Sequence, residues 1–223
     1  MKNVSLFVLL PFVILLPIGC HPPGTTDLGA GNGGGGPGGD VVQRSDLFVP
    51  QSGGYLFSTN DSAFWSPRGF TLWALPLAGQ SIFLQRNVSL AKDSGNAYAG
   101  YGLVFCQNDT GDPAIGESML VVMINAQRQY SVGEANGSVY TPYTASTWMP
   151  SSSLAMGYGM TNTVQVTRDP GGLFTLSLNG DVTMTFRDGR TPLHSGGGDG
   201  YLVVISPQDS FPATPVTVTF KDN

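Results

Sequence analysis

Alternation of apolar and polar residues, the signature of a half-buried strand, dominates the chain from Asp46 onward. Residues 163–167, 174–178 and 182–186 all alternate in this way. Asn179-Gly180 separates the last two segments, and it is the strongest short hairpin signal because both turn positions need a positive φ. These segments predict an antiparallel meander with one apolar and one polar face. The expected apolar face of its last strand carries Val182, Met184 and Phe186.

Eight further segments have the composition or alternation of strands: 54–58, 70–75, 81–90, 101–107, 119–125, 129–134, 201–206 and 216–221. Residues 119–124 (MLVVMI) are apolar at every position, which indicates a strand buried on both faces in the middle of a sheet. No segment has the pattern of a long helix. Since helices are not available to cover a single sheet, two sheets packed face to face are expected. We therefore predict an all-β fold, a two-sheet antiparallel β-sandwich, as one domain over residues 46–223.

Composition and charge support this fold and exclude one class of partner. Charged residues make up 11% of the chain, below the ~25% of ordinary soluble domains, while glycine (31) and proline (16) are abundant. The formal net charge is −5, and the sequence has no cluster of basic residues. Because an acidic surface repels phosphate backbones, we expect no nucleic-acid partner.

The N-terminus has the layout of an export signal. Lys2 precedes an apolar run from Val4 to Ile18, which ends at the small residue Gly19 and then Cys20. The run is shorter than the ~20 apolar residues that a spanning helix needs, and two prolines interrupt it. Residues 1–20 are therefore predicted to be a signal peptide.

The end of this segment, Leu16-Pro17-Ile18-Gly19-Cys20, resembles the lipobox of bacterial lipoprotein signals. The resemblance implies that Cys20 becomes the acylated first residue, so that the protein contacts the membrane through a lipid anchor only. Pro17 stands where that family usually has Leu. The expected location is therefore the cell envelope, as an exported lipoprotein. The alternative is ordinary cleavage nearby, which would give a secreted or periplasmic protein.

Residues 21–45 are predicted to be a flexible tether. They are dominated by glycine up to Asp40 and carry few apolar side chains. Such a segment cannot bury enough surface to offset the entropy of ordering it. Its ~20 glycine-rich residues would have a root-mean-square reach of roughly 25 Å, which suits a domain held off a membrane.

Four segments make the fold prediction more specific. They are residues 101–105 (YGLVF), 129–133 (QYSVG), 157–167 (GYGMTNTVQVT) and 174–180 (FTLSLNG). In this order they resemble the concanavalin A-like jelly-roll superfamily, and within it the laminin-G-like and glucanase-like modules of bacterial surface proteins. The resemblance covers roughly Gly54 to Lys221 and implies a jelly roll. It implies little about function, because this fold carries lectins, glycosidases, sensors and adhesion modules.

Residues suited to catalysis are scarce. Retaining glycosidases need two carboxylates ~5–5.5 Å apart, and the resembled glucanases supply them from a Glu-Xaa-Asp-Xaa-Xaa-Glu strand. This chain has two glutamates, Glu117 and Glu134, and they do not form that pattern. Its histidines, His21 and His194, lie in glycine-rich stretches without a nucleophile motif. We predict no catalytic residue; a glycosidase with atypical carboxylates, such as Asp109 and Glu134, is the alternative.

Metal binding is predicted only as an alternative. Asn108-Asp109-Thr110-Gly111-Asp112, with Glu117 beyond, offers the hard oxygen ligands that calcium prefers, and the resembled superfamily often holds calcium in a loop. The simpler interpretation is a polar loop with Asx turns, so no cofactor and no metal site is assigned. Cys106 lies in an apolar strand-like run and is predicted to be a buried small hydrophobe.

Aromatic residues are the remaining candidates for function. Tyr140, Tyr143 and Trp148 occur in an otherwise small and polar segment, and rings on loops can stack against sugars. The alternative is that they cap the core. With these three as ligand-binding residues, the sequence predicts a non-catalytic binding module for a glycan or a surface protein. A carbohydrate-active enzyme and a structural envelope lipoprotein are the other two interpretations.

Overall fold

The computed structural model describes residues 40–43, 47–59, 71–77, 85–109, 117–136, 139–189, 198–205 and 215–223. These residues form strands and connecting turns. The strands are β1 (Asp40–Gln43), β2 (Phe48–Gln51), β3 (Gly54–Thr59), β4 (Thr71–Leu77), β5 (Gln85–Ser94), β6 (Tyr101–Asp109), β7 (Glu117–Ile124), β8 (Gln129–Asn136), β9 (Val139–Pro142), β10 (Met149–Pro150), β11 (Thr161–Arg168), β12 (Leu173–Leu178), β13 (Asp181–Arg187), β14 (Gly198–Ile205) and β15 (Val216–Asp222). Within the described ranges, no helix is long and apolar enough to cross a membrane.

The strands form two sheets. Sheet A has eight strands in the order β1-β4-β14-β6-β7-β8-β10, and β9 also pairs with β8. Sheet B has seven strands in the order β13-β12-β11-β5-β15-β3-β2. Neighbouring strands are antiparallel except for β1, which runs parallel to β4. The prediction of a two-sheet antiparallel β-sandwich is confirmed.

The core lies between the two sheets, where inward-facing side chains from both are buried. Sheet A contributes Leu103, Val122 and Val203 among others, and sheet B contributes Val166 and Val218. The opposite face of sheet B carries polar side chains, as the alternating sequence predicts. At ~25 cal/mol per Å² of apolar surface removed from water, this core is the main source of stability.

The outer face of sheet A, which points away from sheet B, is apolar as well. Its buried cluster is composed of Val104, Met119, Val121, Met123, Ala135, Leu202 and Val204. Strand β7 alternates between this cluster and the core, so all of its apolar residues are buried. The prediction that residues 119–124 form a central strand buried on both faces is confirmed. Cys106 is also buried, as predicted.

All eleven predicted strands are present, but three details differ. Four short strands, β1, β2, β9 and β10, were not predicted, and β1 lies in the segment assigned to the tether. The sheet therefore begins before residue 46. The Asn179-Gly180 turn has the expected positive φ values, 51° and 91°. Val182, expected in the core, is 71% exposed, because a register shift in the pairing of β12 with β13 moves it out of the core-facing set.

The sandwich has two distinct ends. Turns at residues 95–100, 125–128 and 151–160 meet at one end, which we call the loop end. Arg86, Asp199 and Asp222 meet at the other, which we call the charged end. Strand β5 connects the two, since it begins beside Arg86 and finishes at the turn that starts the loop end.

Candidate functional site

Tyr140 lies on the edge of sheet A, where β9 pairs with β8. It stands opposite Ala135 in the ladder, and its ring packs against the apolar cluster on the outer face. Its hydroxyl is 2.6 Å from Ser131 Oγ, so the two share a hydrogen bond. Burial raises the pKa of Tyr140 to about 12, although the hydrogen bond to Ser131 opposes this. The half-buried ring is held in one orientation by its polar tip.

Trp148 packs against the same outer cluster, directly before β10. A glycine at position 100 makes its approach possible: a Cβ there would come within 2.9 Å of Trp148 Cη2 and 2.7 Å of Met123 Sδ. Met123 is paired with Ser131, the partner of Tyr140. The structure therefore places Tyr140 and Trp148 against the same apolar cluster of sheet A.

Tyr143 lies apart from the other two predicted residues, on the core side of the same edge. Its hydroxyl donates to Glu134 Oε2 at 2.7 Å and accepts from the backbone N–H of Gly189 at 3.0 Å. Its ring lies 6.1 Å from that of Phe186, a core residue of sheet B. Burial raises the pKa of Tyr143, and the carboxylates of Glu134 and Asp188 raise it further. Tyr143 therefore links the edges of the two sheets, which is the position expected of a ring that caps the core.

Glu134, one of the two carboxylates in the glycosidase alternative, accepts the hydrogen bond from Tyr143. Its half-buried carboxylate faces the core side of the edge, not the outer face of sheet A. The side chain of its suggested partner, Asp109, lies outside the described residues. The buried residues of the outer cluster are apolar, and Ser131 beside them supplies the hydroxyl that meets Tyr140.

A charged cluster that the sequence did not predict closes the far end of the core. Arg86 Nε is 3.1 Å from Asp199 Oδ2, and Arg86 Nη2 is 3.2 Å from Asp222 Oδ1. The guanidinium also lies over the ring of Tyr201, with Cζ 5.8 Å from its centroid. Burial raises the pKa of Asp199, while Arg86 opposes that rise. No local sequence motif predicts this cluster, because its members come from three strands that are far apart in the sequence.

Several predicted sites lie outside the described residues. They are Cys20 and the leader, the Gly-rich stretch with His194, and most of the loop suggested for calcium. Within the described part of the chain, no group of three or more His, Cys, Asp or Glu residues could hold a metal ion. The lipid anchor and the calcium alternative stay predictions.

Comparison with known proteins gives structural likeness without sequence likeness. No protein-family model matches the chain, and no curated protein matches it in sequence. A prokaryotic β-1,3-1,4-glucanase (lichenase) from a mouse hindgut metagenome has a TM-score of 0.52 and 9% identity, covering 87% of this chain and 90% of that one. Carbohydrate-binding module CBM66 from Bacillus subtilis has a TM-score of 0.51 and 12% identity, covering 78% and 90%.

A third likeness agrees with these two. The β-glucanase of Bacillus licheniformis has a TM-score of 0.50 and 10% identity, covering 86% of this chain and 87% of that one. At such low identities the likenesses concern the fold alone. The chain therefore has the concanavalin A-like jelly-roll fold that the four sequence segments predicted.

Proposed function

We propose that this protein is an exported, lipid-anchored module of the cell envelope that binds carbohydrate without cleaving it. The observation that carries the proposal is the pair of half-buried rings, Tyr140 and Trp148, which pack against the same apolar cluster on the outer face of sheet A. A sugar ring has an apolar face, and fixed aromatic rings with polar neighbours are suited to stack against it. The shared fold with a carbohydrate-binding module supports the same function.

Two observations support binding over cleavage. Glycosidic cleavage by the usual route needs two carboxylates flanking the sugar, and no described carboxylate accompanies the pair of rings. Glu134 points to the core side and accepts a hydrogen bond from Tyr143. Asp199 and Asp222 are ion-paired to Arg86 at the charged end. These carboxylates have structural partners that account for their positions.

A polysaccharide-binding experiment tests the proposal. The full chain, purified in detergent after export, is applied to a polysaccharide array that includes mixed-linkage β-1,3-1,4-glucan, the polymer named for one structural neighbour. Trp148→Ala should weaken binding about tenfold, which corresponds to ~1.4 kcal/mol. Trp148→Phe should retain most of it, because a ring remains. Tyr158→Ala at the loop end is the matched control and should bind like the unmodified chain.

Three results would contradict the proposal in different ways. Binding to no polysaccharide would favour a surface protein as the partner, or a structural envelope lipoprotein, which are the non-catalytic alternatives that the sequence left. Equal binding by the Trp148→Ala variant would remove the ring pair as the site. Release of reducing sugar ends from a bound polysaccharide would show that the protein is an enzyme.

The anchor is tested separately by mass spectrometry of the mature N-terminus. The proposal expects an acylated Cys20 as the first residue, and Cys20→Ser should move the protein from the membrane to the soluble fraction. Pro17→Leu, which restores the usual lipobox residue, should increase the processed fraction. An unmodified N-terminus at another residue would instead show ordinary secretion.

A further inference from the structure

Four large apolar side chains are exposed together at the loop end. Tyr98 is 58% exposed, Met156 57%, Tyr158 49% and Met160 45%. Single exposed apolar residues are common on protein surfaces. Four of them on two adjacent loops form a patch, and patches of this kind mark contact surfaces. We call these four residues the loop-end patch.

Backbone hydrogen bonds hold the loops of the patch together. Ala126 N–H donates to Ala97 O at 3.0 Å, and Gly157 N–H donates to Ala126 O at 2.9 Å. Gly159 N–H donates to Lys92 O at 2.9 Å, which fixes the second loop to the end of β5. The loop-end patch is therefore presented by bonded turns.

The conformation of the second loop turns Tyr158 and its neighbours outward. Gly157 and Gly159 have φ values of +108° and +69°, which side chains other than glycine rarely adopt. Between them, the Tyr158 hydroxyl donates to Gly95 O on the first loop. Asn162 clamps the base of the loop through both Ala155 N and Ala155 O. The apolar side chains are thus exposed although the backbone beneath them is satisfied.

The topology places the start of β1, the first strand in the described part of the chain, at this same end. Asp40, the first residue of β1, pairs with Thr71, and Thr71 pairs with Ile205 at the end of β14. Val203, two residues earlier in β14, pairs with Tyr101, which directly follows the first loop. The segment that joins Cys20 to the domain therefore enters at the loop end.

Distances favour a membrane contact at this end over the opposite one. A flexible chain of ~20 residues reaches roughly 25 Å. An eight-residue strand such as β7 is about 27 Å long, so the charged end lies a further strand length away from the point of entry. An anchor at Cys20 would thus hold the loop end nearest to the lipid surface.

We propose that the loop-end patch contacts the lipid surface that carries the anchor, and so orients the domain with its charged end outward. This inference rests on the proposed acylation of Cys20. Tyrosine suits the boundary between headgroups and acyl chains, because its ring is apolar and its tip is polar. The chain lacks a basic cluster, so apolar burial drives the contact.

Depth-dependent quenching on the acylated full chain tests the orientation. The chain is reconstituted into vesicles of phosphatidylethanolamine and phosphatidylglycerol that contain a quencher attached to the acyl chains. An environment-sensitive dye is placed through Met156→Cys at the loop end or, as the matched control, through Lys221→Cys at the opposite end. Mass spectrometry of the same sample reports whether Cys20 is acylated.

The proposal expects strong quenching at position 156 and little at position 221. Tyr98→Ser together with Met160→Ser should reduce quenching at position 156 to the control level while acylation and the unfolding transition stay unchanged. Raising the salt concentration should change the quenching little, because the contact is apolar. Equal quenching at both positions, or none at either in an acylated sample, would overturn the proposal.

The possible results also distinguish this inference from the proposed carbohydrate binding and from the proposed lipid anchor. A sample in which Cys20 is not acylated would contradict the proposed anchor and would overturn this inference with it. Polysaccharide binding that depends on Trp148 and is unaffected by Tyr158→Ala leaves carbohydrate binding intact whatever the quenching shows. If mixed-linkage β-glucan changes the dye at position 156 without vesicles, the loop-end patch is a sugar site, and the membrane contact is rejected.

Discussion

The two ends of the sandwich are closed by two cations from one strand, and they are closed in different ways. At the loop end, Lys92 is fully buried, and its Nζ donates to the backbone oxygens of Asn96 at 2.6 Å and Ala99 at 3.2 Å. At the charged end, Arg86 is partly exposed and pairs with the carboxylates of Asp199 and Asp222. Strand β5 therefore points one cation towards carbonyl dipoles and the other towards full charges.

The two ends should therefore respond differently to pH. Backbone carbonyls do not titrate, so the two hydrogen bonds from Lys92 to Asn96 O and Ala99 O keep their acceptors in acid. Carboxylates lose their charge in acid, so the contacts of Arg86 weaken there. The two Lys92 hydrogen bonds at the loop end are therefore available in acid as well as at neutral pH, which suits loops that carry an exposed apolar patch. The ion pairs at the charged end change in strength with pH.

Removal of the Lys92 ammonium should have the largest effect. Lys92→Met keeps the length of the side chain but removes the donor from two buried carbonyl contacts, each a hydrogen bond to a charged group. We expect the free energy of unfolding to fall by about 3 kcal/mol. Urea denaturation at pH 7 measures the loss, and the part that comes from these two hydrogen bonds should persist at pH 4.5 because no carbonyl titrates.

Lys221→Met is the matched control, since Lys221 is an exposed lysine at the C-terminal end of β15. Its effect should lie within about 0.5 kcal/mol. Replacing buried charges with apolar groups is neutral or stabilising in some proteins. If Lys92→Met were as stable as the control, the carbonyl contacts would not stabilise the loop end.

Removal of the Arg86 guanidinium should have the second largest effect, and this effect should depend on pH. Arg86→Met leaves the buried carboxylate of Asp199 without its counter-ion, and we expect a loss of about 2 kcal/mol at pH 7. Below the pKa of Asp199 the carboxyl is neutral, and most of the penalty should disappear. Urea denaturation of Arg86→Met and of the unmodified chain, at pH values above and below that pKa, measures the change in this penalty. A loss that is constant with pH would show that Arg86 acts by packing alone.

Sequence pattern predicted sheet B more fully than sheet A, for a physical reason. In sheet B one face is buried and the other solvated, so β11 and β15 alternate and can be recognised locally. In sheet A, β7 is apolar throughout, which indicates burial without saying what covers each face. The outward position of Val182 depends on a register shift between two strands, which no single-strand pattern contains.

The candidate site was predicted only in part. The local richness in rings identified Tyr140, Tyr143 and Trp148, but the alternation of β8 and the turn after β9 divide them between two faces. The Arg86 cluster and the loop-end patch depend on contacts between distant strands and turns. Gly157 and Gly159 allow the backbone on each side of Tyr158 to take positive φ values, but the exposure of its ring depends on the neighbouring loop.

A smaller effect should separate the two carboxylates of the charged end. Burial raises the pKa of Asp199 in the folded protein, so its stabilisation is present below the unfolded value of 3.8 and is lost as pH rises through the folded pKa. The unmodified chain should therefore gain stability relative to Asp199→Asn as pH falls. Parallel urea titrations from pH 7 to pH 3.5 measure the difference.

Asp222 serves as the comparison, because it is more exposed than Asp199 and contacts the same guanidinium. Asp222→Asn should change the free energy of unfolding at pH 7 by less than Asp199→Asn does, since water screens an exposed charge. If the curve for Asp199→Asn sloped the opposite way, pairing with Arg86 would outweigh burial at this carboxyl.

The smallest effect is expected at Tyr140, which lies away from both ends and donates or accepts only a neutral hydrogen bond. Tyr140→Phe removes the hydroxyl that meets Ser131 and should cost about 0.5 kcal/mol, the lower limit for such a bond. The pKa of Tyr140 is raised from 10.0 to about 12 in the folded state, so its contribution is fully present below pH 10 and lost as pH rises through about 12. The deficit of Tyr140→Phe should therefore be constant from pH 4.5 to pH 9, unlike that of Arg86→Met, and should narrow in stronger alkali. Urea denaturation measures both ranges, and tyrosinate absorbance follows the ionisation itself. If the stability deficit of Tyr140→Phe became smaller in acid, acid would be weakening the fold as a whole. The pH dependence of Arg86→Met could then not be assigned to the charged end.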